Sequence, residues 1–159
     1  ETLIMRRKER EVTDRQDLIR ILDDCKVIRI AMNDEEGLYI LPLNFGYEWI
    51  EDQLVFYFHS AKAGRKLSII KKKATVAFEM DTDHRLIEAD QACGYGFAFA
   101  SIIGTGQAEI VSDPEEKKKG LCLLMKHQTG KDFEFDDRSA STVAVWKVTS
   151  DKFTGKRHL

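Results

Sequence analysis

Proline is almost absent from this 159-residue sequence, at Pro42 and Pro114 only, which excludes a proline-rich linker or tail. Cysteine is scarce too. Cys25, Cys93 and Cys122 are odd in number and widely spaced, so neither a disulfide framework nor a zinc site is expected. A reducing, cytoplasmic setting follows as the simplest expectation, with Cys25 and Cys122 read as small buried hydrophobes. No apolar run reaches the roughly 18–20 residues of a membrane span. Glu1 to Glu11 lack the apolar centre of a secretory signal, and Met5, followed by Arg6, Arg7 and Lys8, is read as a candidate native start. Excess charge of either sign is missing. With 25 Lys+Arg against 27 Asp+Glu the net charge is -2, which argues against a dedicated nucleic-acid binder but permits a local basic pocket. There is no internal repeat and no low-complexity tract.

What is present fits one domain. An N-terminal arm over 1–12 precedes a single domain over 13–159. Leu18, Ile21, Leu22 and Cys25 repeat at helical spacing, and Thr13 with Gln16 fits a capping box. Val27 to Met32 alternates as a strand, and Asn33 to Gly37 supply a turn. Leu38 to Tyr47 reads as one strand, with Pro42 marking an edge or bulge. Leu54 to His59 is rich in aromatic and branched residues and reads as a strand. Ala61 to Lys72 reads as a helix through Leu67 and Ile70, Thr75 to Met80 as a strand, and Thr82 to Gly94 as a long loop. Phe97 to Val111 reads as a strand bent near Gly104 and Gly106. Pro114 opens a helix capped by Asp113 and closed by Gly130. Val143 to Val148 is the last strand. About six strands with three helices, not regularly alternating, predict a small antiparallel barrel rather than a doubly wound parallel sheet.

Two stretches carry chemistry. In His59-Ser60-Ala61-Lys62-Ala63-Gly64-Arg65-Lys66 a strand meets a helix, with Ser60 as N-cap and Lys62, Arg65 and Lys66 on one face of the first turns. Cations at a helix N-terminus oppose the macrodipole unless an anion sits among them, and free amides there suit a phosphate. The alternative is a solvated basic face continued by Lys71, Lys72 and Lys73. In Pro42-Leu43-Asn44-Phe45-Gly46-Tyr47 a proline and a glycine interrupt an apolar strand. The freed main-chain groups could bond the polar edge of a planar heterocycle while Leu43 and Phe45 cover its face; the alternative is an edge strand with a bulge.

PLNFGY, FYFHSAKAGRK and SIIGTGQAEIV, in that order, resemble the flavin-binding split-barrel proteins of the pyridoxamine 5'-phosphate oxidase-like superfamily, most closely its nitroimidazole-resistance branch. The resemblance implies a mainly β (α+β) fold, a six-stranded antiparallel split β-barrel with flanking helices. It implies FMN as cofactor, with His59, Ser60, Arg65 and Lys66 at the phosphate and ribityl end and Lys62 as a helper. Pro42, Leu43, Asn44 and Phe45 would offer main-chain bonds to the isoalloxazine. Ser101 falls where the oxidases carry a flavin-contacting glutamine. The family forms twofold homodimers with flavin sites at the interface, so Trp146 and Thr154 to Arg157 become candidates for the second-subunit contribution. The C-terminal pattern that recognises pyridoxal phosphate is not evident, so vitamin B6 oxidation is not expected.

The expected activity is reduction of a small aromatic or nitro compound. Reduced nicotinamide, bound transiently for want of a Rossmann fingerprint, or another flavin system would supply the electrons. His59 would either donate a proton to substrate or bond the phosphate. Asp81, Asp83 and His84 are metal-ligand types too clustered for a convincing site and read as a polar turn. His127, on the last turn of a helix, would suit the dipole as a cation. The alternatives are a flavin or haem storage protein of the same fold, with His59 or His84 as axial ligand, and a basic partner-binding surface without cofactor.

Overall fold

The computed structural model of the protein describes residues 5–159, so the first four residues of the expected arm lie outside the described residues. Eight strands form one antiparallel sheet: β1 (Glu11–Val12), β2 (Val27–Asp34), β3 (Gly37–Asn44), β4 (Gly46–Ile50), β5 (Gln53–Ser60), β6 (Ala74–Ile87), β7 (Gly96–Ile110) and β8 (Ala144–His158). The helices are α1 (Arg15–Asp24), α2 (Arg65–Ile70), α3 (Pro114–Thr129) and the single-turn α4 (Asp137–Ala140). No helix among the described residues is long and apolar enough to cross a membrane.

The strand order is β3-β2-β6-β7-β8-β5-β4, with β1 added to the far part of β8. The two edge strands, β3 and β4, are consecutive in the chain and separated only by Phe45. The sheet therefore curls until its edges meet at one residue, yet β3 and β4 form no ladder. This is a split barrel, as expected.

Inward residues of each strand fill it. Ile28, Ile30, Leu54, Phe56, Phe58, Phe78, Met80, Ile102, Trp146 and Val148 are all buried in one cluster with Leu18, Ile21 and Leu22 of α1 and Leu67 and Ile70 of α2. Burying each large side chain contributes about 1.5–3 kcal/mol. A second cluster lies outside the barrel wall, where α3 places Leu121 over Val55 and Tyr57 of β5. Gly46 is required there, because a Cβ on it would run into the backbone of Leu123 and Leu124.

Several local expectations change. The strand expected over Leu38 to Tyr47 is two strands, because the chain turns at Phe45 from one edge to the other. The loop expected over Thr82 to Gly94 is strand as far as Ile87, interrupted by a register shift between Thr82 and Arg85. The last strand runs ten residues beyond Val148, to His158. The first helix is capped by Asp14, whose carboxylate accepts from the Asp17 amide, and not by Thr13. Ser60 is still within β5 and caps nothing. α2 begins only at Arg65, after Gly64 at φ 138°, a conformation that favours glycine. Asp113 and Gly130 close α3 at its two ends as expected. Cys25 is buried, which pushes its thiol up to about 12, whereas Cys122 is only half-buried and donates to the Phe133 carbonyl at 3.1 Å.

Candidate functional site

The pairing pattern defines a slot. β4 starts opposite Tyr57, at Gly46, so Phe58, His59 and Ser60 have no β4 partner. β3 pairs with β2 alone, which leaves its other edge unpaired among the described residues. The split opens between these two flanks and ends at Phe45. Its other end is bridged by Arg65, which reaches from the start of α2 to the start of β3. There Arg65 donates to the Gly37 carbonyl at 3.4 Å and lies over the Tyr39 ring at 4.6 Å. The two stretches singled out in the sequence thus form opposite walls of one opening.

On the β5 wall, alternation sends Ser60 inward and His59 outward. Ser60 is 8% exposed, and its hydroxyl is buried without a hydrogen-bond partner. Such a group costs about 1–3 kcal/mol unless something bonds it. Two positions before it, Phe58 stacks at 4.2 Å on Trp146, whose indole N–H is also buried and unpartnered. His59 is exposed, and its side chain has no hydrogen-bond partner among the described residues.

The cations differ in availability. Arg65 makes a two-pronged contact with Asp34, Nε to Oδ2 at 2.8 Å and Nη2 to Oδ1 at 2.7 Å, with Glu36 at 3.7 Å. The bond from Arg65 holds the Asp34 carboxyl below its ordinary value and raises Arg65 in turn. Part of the anion that the sequence called for is therefore this chain's own Asp34. Ion pairs at this junction, among the described residues, all belong to Arg65. Lys62, on the exposed loop, and Lys66, on the first turn of α2, have no carboxylate partner there.

The β3 wall also divides. Pro42 and Asn44 face outward, whereas Leu43 packs against the core. Phe45 is 0% exposed, its ring 5.7 Å from Phe56 and 4.5 Å from His127. The expectation that Phe45 covers a ligand's face is corrected by this burial, whereas Leu43 is only partly buried. The freed main chain is partly used internally, Gln128 donating to the Phe45 carbonyl at 3.0 Å, while the Asn44 side-chain Nδ2 donates to the Lys26 carbonyl at 3.0 Å. Gln128 carried no signal in the sequence, because its partner lies 83 positions away.

His127 donates from Nε2 to the Cys25 carbonyl at 2.7 Å. Burial lowers its pKa. It therefore packs as a neutral ring, not as the cation expected at a helix C-terminus.

Ser101 stands apart from the slot. It points outward from β7, between Asp81 of β6 and Lys156 of β8. His59 aligns with Val145 of β8, and Ser101 with Lys156 of the same strand. The two are separated by eleven residues, roughly 36 Å along an extended strand. One chain does not bring Ser101 and the His59–Ser60 junction together.

Two surface cavities of about 570 and 600 Å³ lie beside the slot. One lies between α2 and the β2–β3 turn, at Asp34, Arg65 and Ser68; the other is at the end of α3, beside Lys26, Tyr47 and His127. No group of three or more His, Cys, Asp or Glu side chains is placed to hold a metal among the described residues.

Comparison with known proteins agrees with this architecture. No curated protein matches the chain in sequence. Among solved structures, a candidate 5-nitroimidazole antibiotic resistance protein from Bacteroides thetaiotaomicron is 32% identical, with a TM-score of 0.77 over 92% of this chain and 86% of that one. A protein from Mycobacterium smegmatis that binds FAD and haem is 18% identical, with a TM-score of 0.76 over 93% of this chain and 73% of that one. A flavocytochrome from Azotobacter vinelandii is 18% identical, with a TM-score of 0.78 over 99% of this chain and 73% of that one. The last two show likeness of fold alone. The sequence profile described as pyridoxamine 5'-phosphate oxidase matches residues 14–157. With nearly the whole chain covered, and with the split barrel in place, the protein belongs to the pyridoxamine 5'-phosphate oxidase family.

Proposed function

We propose that the protein is an FMN-binding flavoprotein that acts as a homodimer in the cytoplasm and reduces a small aromatic or nitro compound. The observation that carries this reading is the Ser60 hydroxyl, buried and unpartnered at the end of β5, with Lys62 and Lys66, free of carboxylate partners among the described residues, two and six residues further on. A phosphate bound at this junction would accept from the hydroxyl and pair with the two ammonium groups. The residues present fit the phosphate and ribityl end of FMN, with His59 alongside as a further donor and Arg65 steadying α2 through Asp34. The unpaired edge of β3, over Pro42 to Asn44, supplies main-chain groups for the polar edge of the ring, the Phe45 carbonyl being already bonded by Gln128. When bound, the flavin supplies the redox chemistry, and this chain supplies position and charge.

A second copy completes the site. Ser101 is too far along β8 to meet the junction of its own chain. The outer face of the sheet exposes Leu38 at 88%, Ile40 at 66% and Ile103 at 50%. Together with Pro42, Ala31 and Ala77 they form outward positions on β3, β2, β6 and β7 on either side of the Arg29–Glu79–Asp81 ion pairs, a mixed surface with apolar parts suited to burial against another chain. The 32% identity to a nitroimidazole-resistance candidate supports the substrate class. The absorbance spectrum and native mass of the purified protein test the reading. A bound-flavin spectrum at dimer mass is expected. A Soret band would favour the haem-binding alternative, and colourless protein that FMN cannot reconstitute would overturn the proposal.

A further inference from the structure

One side chain ties the closed end of the split. Gln128, on the last turn of α3, donates from Nε2 to the Phe45 carbonyl at 3.0 Å and to the Lys26 carbonyl at 3.1 Å. Its Oε1 accepts from Asn44 Nδ2 at 3.2 Å, and Asn44 Nδ2 also reaches the Lys26 carbonyl at 3.0 Å. These partners set the orientation of the carboxamide, because two carbonyl oxygens require its NH2 on their side. Gln128 thus joins the residue before β2, the end of β3 and the single residue that separates β3 from β4.

The turn that carries Gln128 is itself anchored. Lys26 Nζ donates to the Asp23 carbonyl at 2.7 Å and to the His127 carbonyl at 2.9 Å, so one ammonium closes the ends of both α1 and α3. His127 bonds the Cys25 carbonyl at 2.7 Å. Gly46, the first residue of β4, lies against the backbone of Leu123 and Leu124. Gln128 therefore stands on a fixed platform, and its carboxamide passes that position to the end of β3. Glutamate in its place would set a carboxylate against two carbonyl oxygens. An apolar side chain of the same length would leave the Phe45 carbonyl without its donor.

The β3 wall needs such a tie. Among the described residues β3 pairs with β2 alone, and the end of a strand held on one side is where a sheet opens most easily. We infer that Gln128 is a positioning residue for the slot: through the Phe45 carbonyl and Asn44 it sets where the main-chain groups of Pro42 to Asn44 stand, and so how the polar edge of the bound ring is held. The inference rests on the flavin reading above and adds to it what aims this wall. It also commits the Asn44 side chain to Gln128 and Lys26, which leaves the Asn44 main chain for a ligand.

The test compares Gln128→Met, which keeps the length and loses all three bonds, with Glu116→Gln, which loosens the other end of α3 by weakening its contacts to Lys147 at 2.9 and 3.1 Å. In Gln128→Met the FMN dissociation constant should rise about tenfold. The reduction potential and the visible bands of the bound flavin should shift, because the ring meets displaced main-chain groups. In the FMN-free protein, amide exchange over 42–47 should quicken in that variant and not in Glu116→Gln. Asn44→Ala, which removes one partner of Gln128 and keeps the bond to Phe45, should move the same readouts in the same direction to a lesser degree. Glu116→Gln should lower the melting temperature and leave FMN affinity, potential and spectrum as in wild type. Wild-type affinity, potential and spectrum in folded Gln128→Met, or in Asn44→Ala should the first variant not fold, would overturn the assignment while flavin binding stands. Equal changes in Glu116→Gln would also overturn it, since general docking of α3 would then suffice. Absence of FMN binding by the wild type would instead overturn the flavin reading, and the assignment with it.

Discussion

Arg65 and Asp34 join the first turn of α2 to the turn between β2 and β3 through two parallel hydrogen bonds, at 2.8 and 2.7 Å. A guanidinium held in both prongs by a carboxylate is largely committed. The three cations of the junction therefore have different roles, and substitution separates them. Lys62→Ala with Lys66→Ala is expected to weaken FMN binding at least tenfold while leaving the melting temperature of the FMN-free protein unchanged. Arg65→Ala is expected to lower that melting temperature, and Asp34→Asn to follow it. Fluorescence titration and calorimetry read the two effects independently.

Ser60 is expected to split stability from binding in the opposite sense. Without a ligand, its buried hydroxyl is a cost. Ser60→Ala should therefore leave the FMN-free protein as stable as wild type or more so, while FMN dissociates at least several-fold more readily. Thermal melts with and without added FMN check both halves.

His127 gives the protein a pH signature. Its folded pKa lies below the ordinary value near 6.5, because burial against Phe45 and Tyr47 disfavours the charged ring. Below about 6.5 the unfolded chain binds a proton that the folded chain refuses, so stability present above that pH is lost as pH falls toward the folded pKa. The melting temperature should drop between pH 7 and 5. In His127→Gln it should start lower but vary less over that interval.

Leu38 and Ile40 test the assembly. Glutamate at both positions adds two charges to an exposed edge of β3 and removes no core packing. Sedimentation should show a folded monomer, and flavin content should fall with the dimer. A flavin-loaded monomer would show that one chain suffices.

Much of this was legible in the residues. The Asp113 and Gly130 ends of α3 follow from local chemistry, because a carboxylate cap and a left-handed glycine act within one turn. The strand at Leu54 to His59 could be read from its branched and aromatic side chains. The far half of β8 could not. Thr149 to His158 is polar and charged, and its strand conformation is imposed by β7 on one side and β1 on the other. The break at Phe45 was hidden for a similar reason. An apolar residue between two apolar strands looks like continuity, and only Gln128 and Gly46, packed against α3, show that the chain turns there. The candidate site was legible as composition but not as allegiance. The sequence placed Arg65 beside Lys66, but not opposite Asp34, 31 positions earlier.

The reach of β8 has a consequence for how the barrel comes to exist. This one strand pairs with β7, β5 and β1. β2 with β3 and β4 with β5 are hairpins that can form locally, and β6 with β7 is a third. The β2–β6 ladder joins the first and third, but no ladder ties either to β4–β5 until β8 arrives and bridges β5 to β7. Folding must then wait for contacts made across about ninety residues of chain, a topology that closes slowly. Before that moment Trp146, the indole that seals the barrel against Phe58, has nowhere to go.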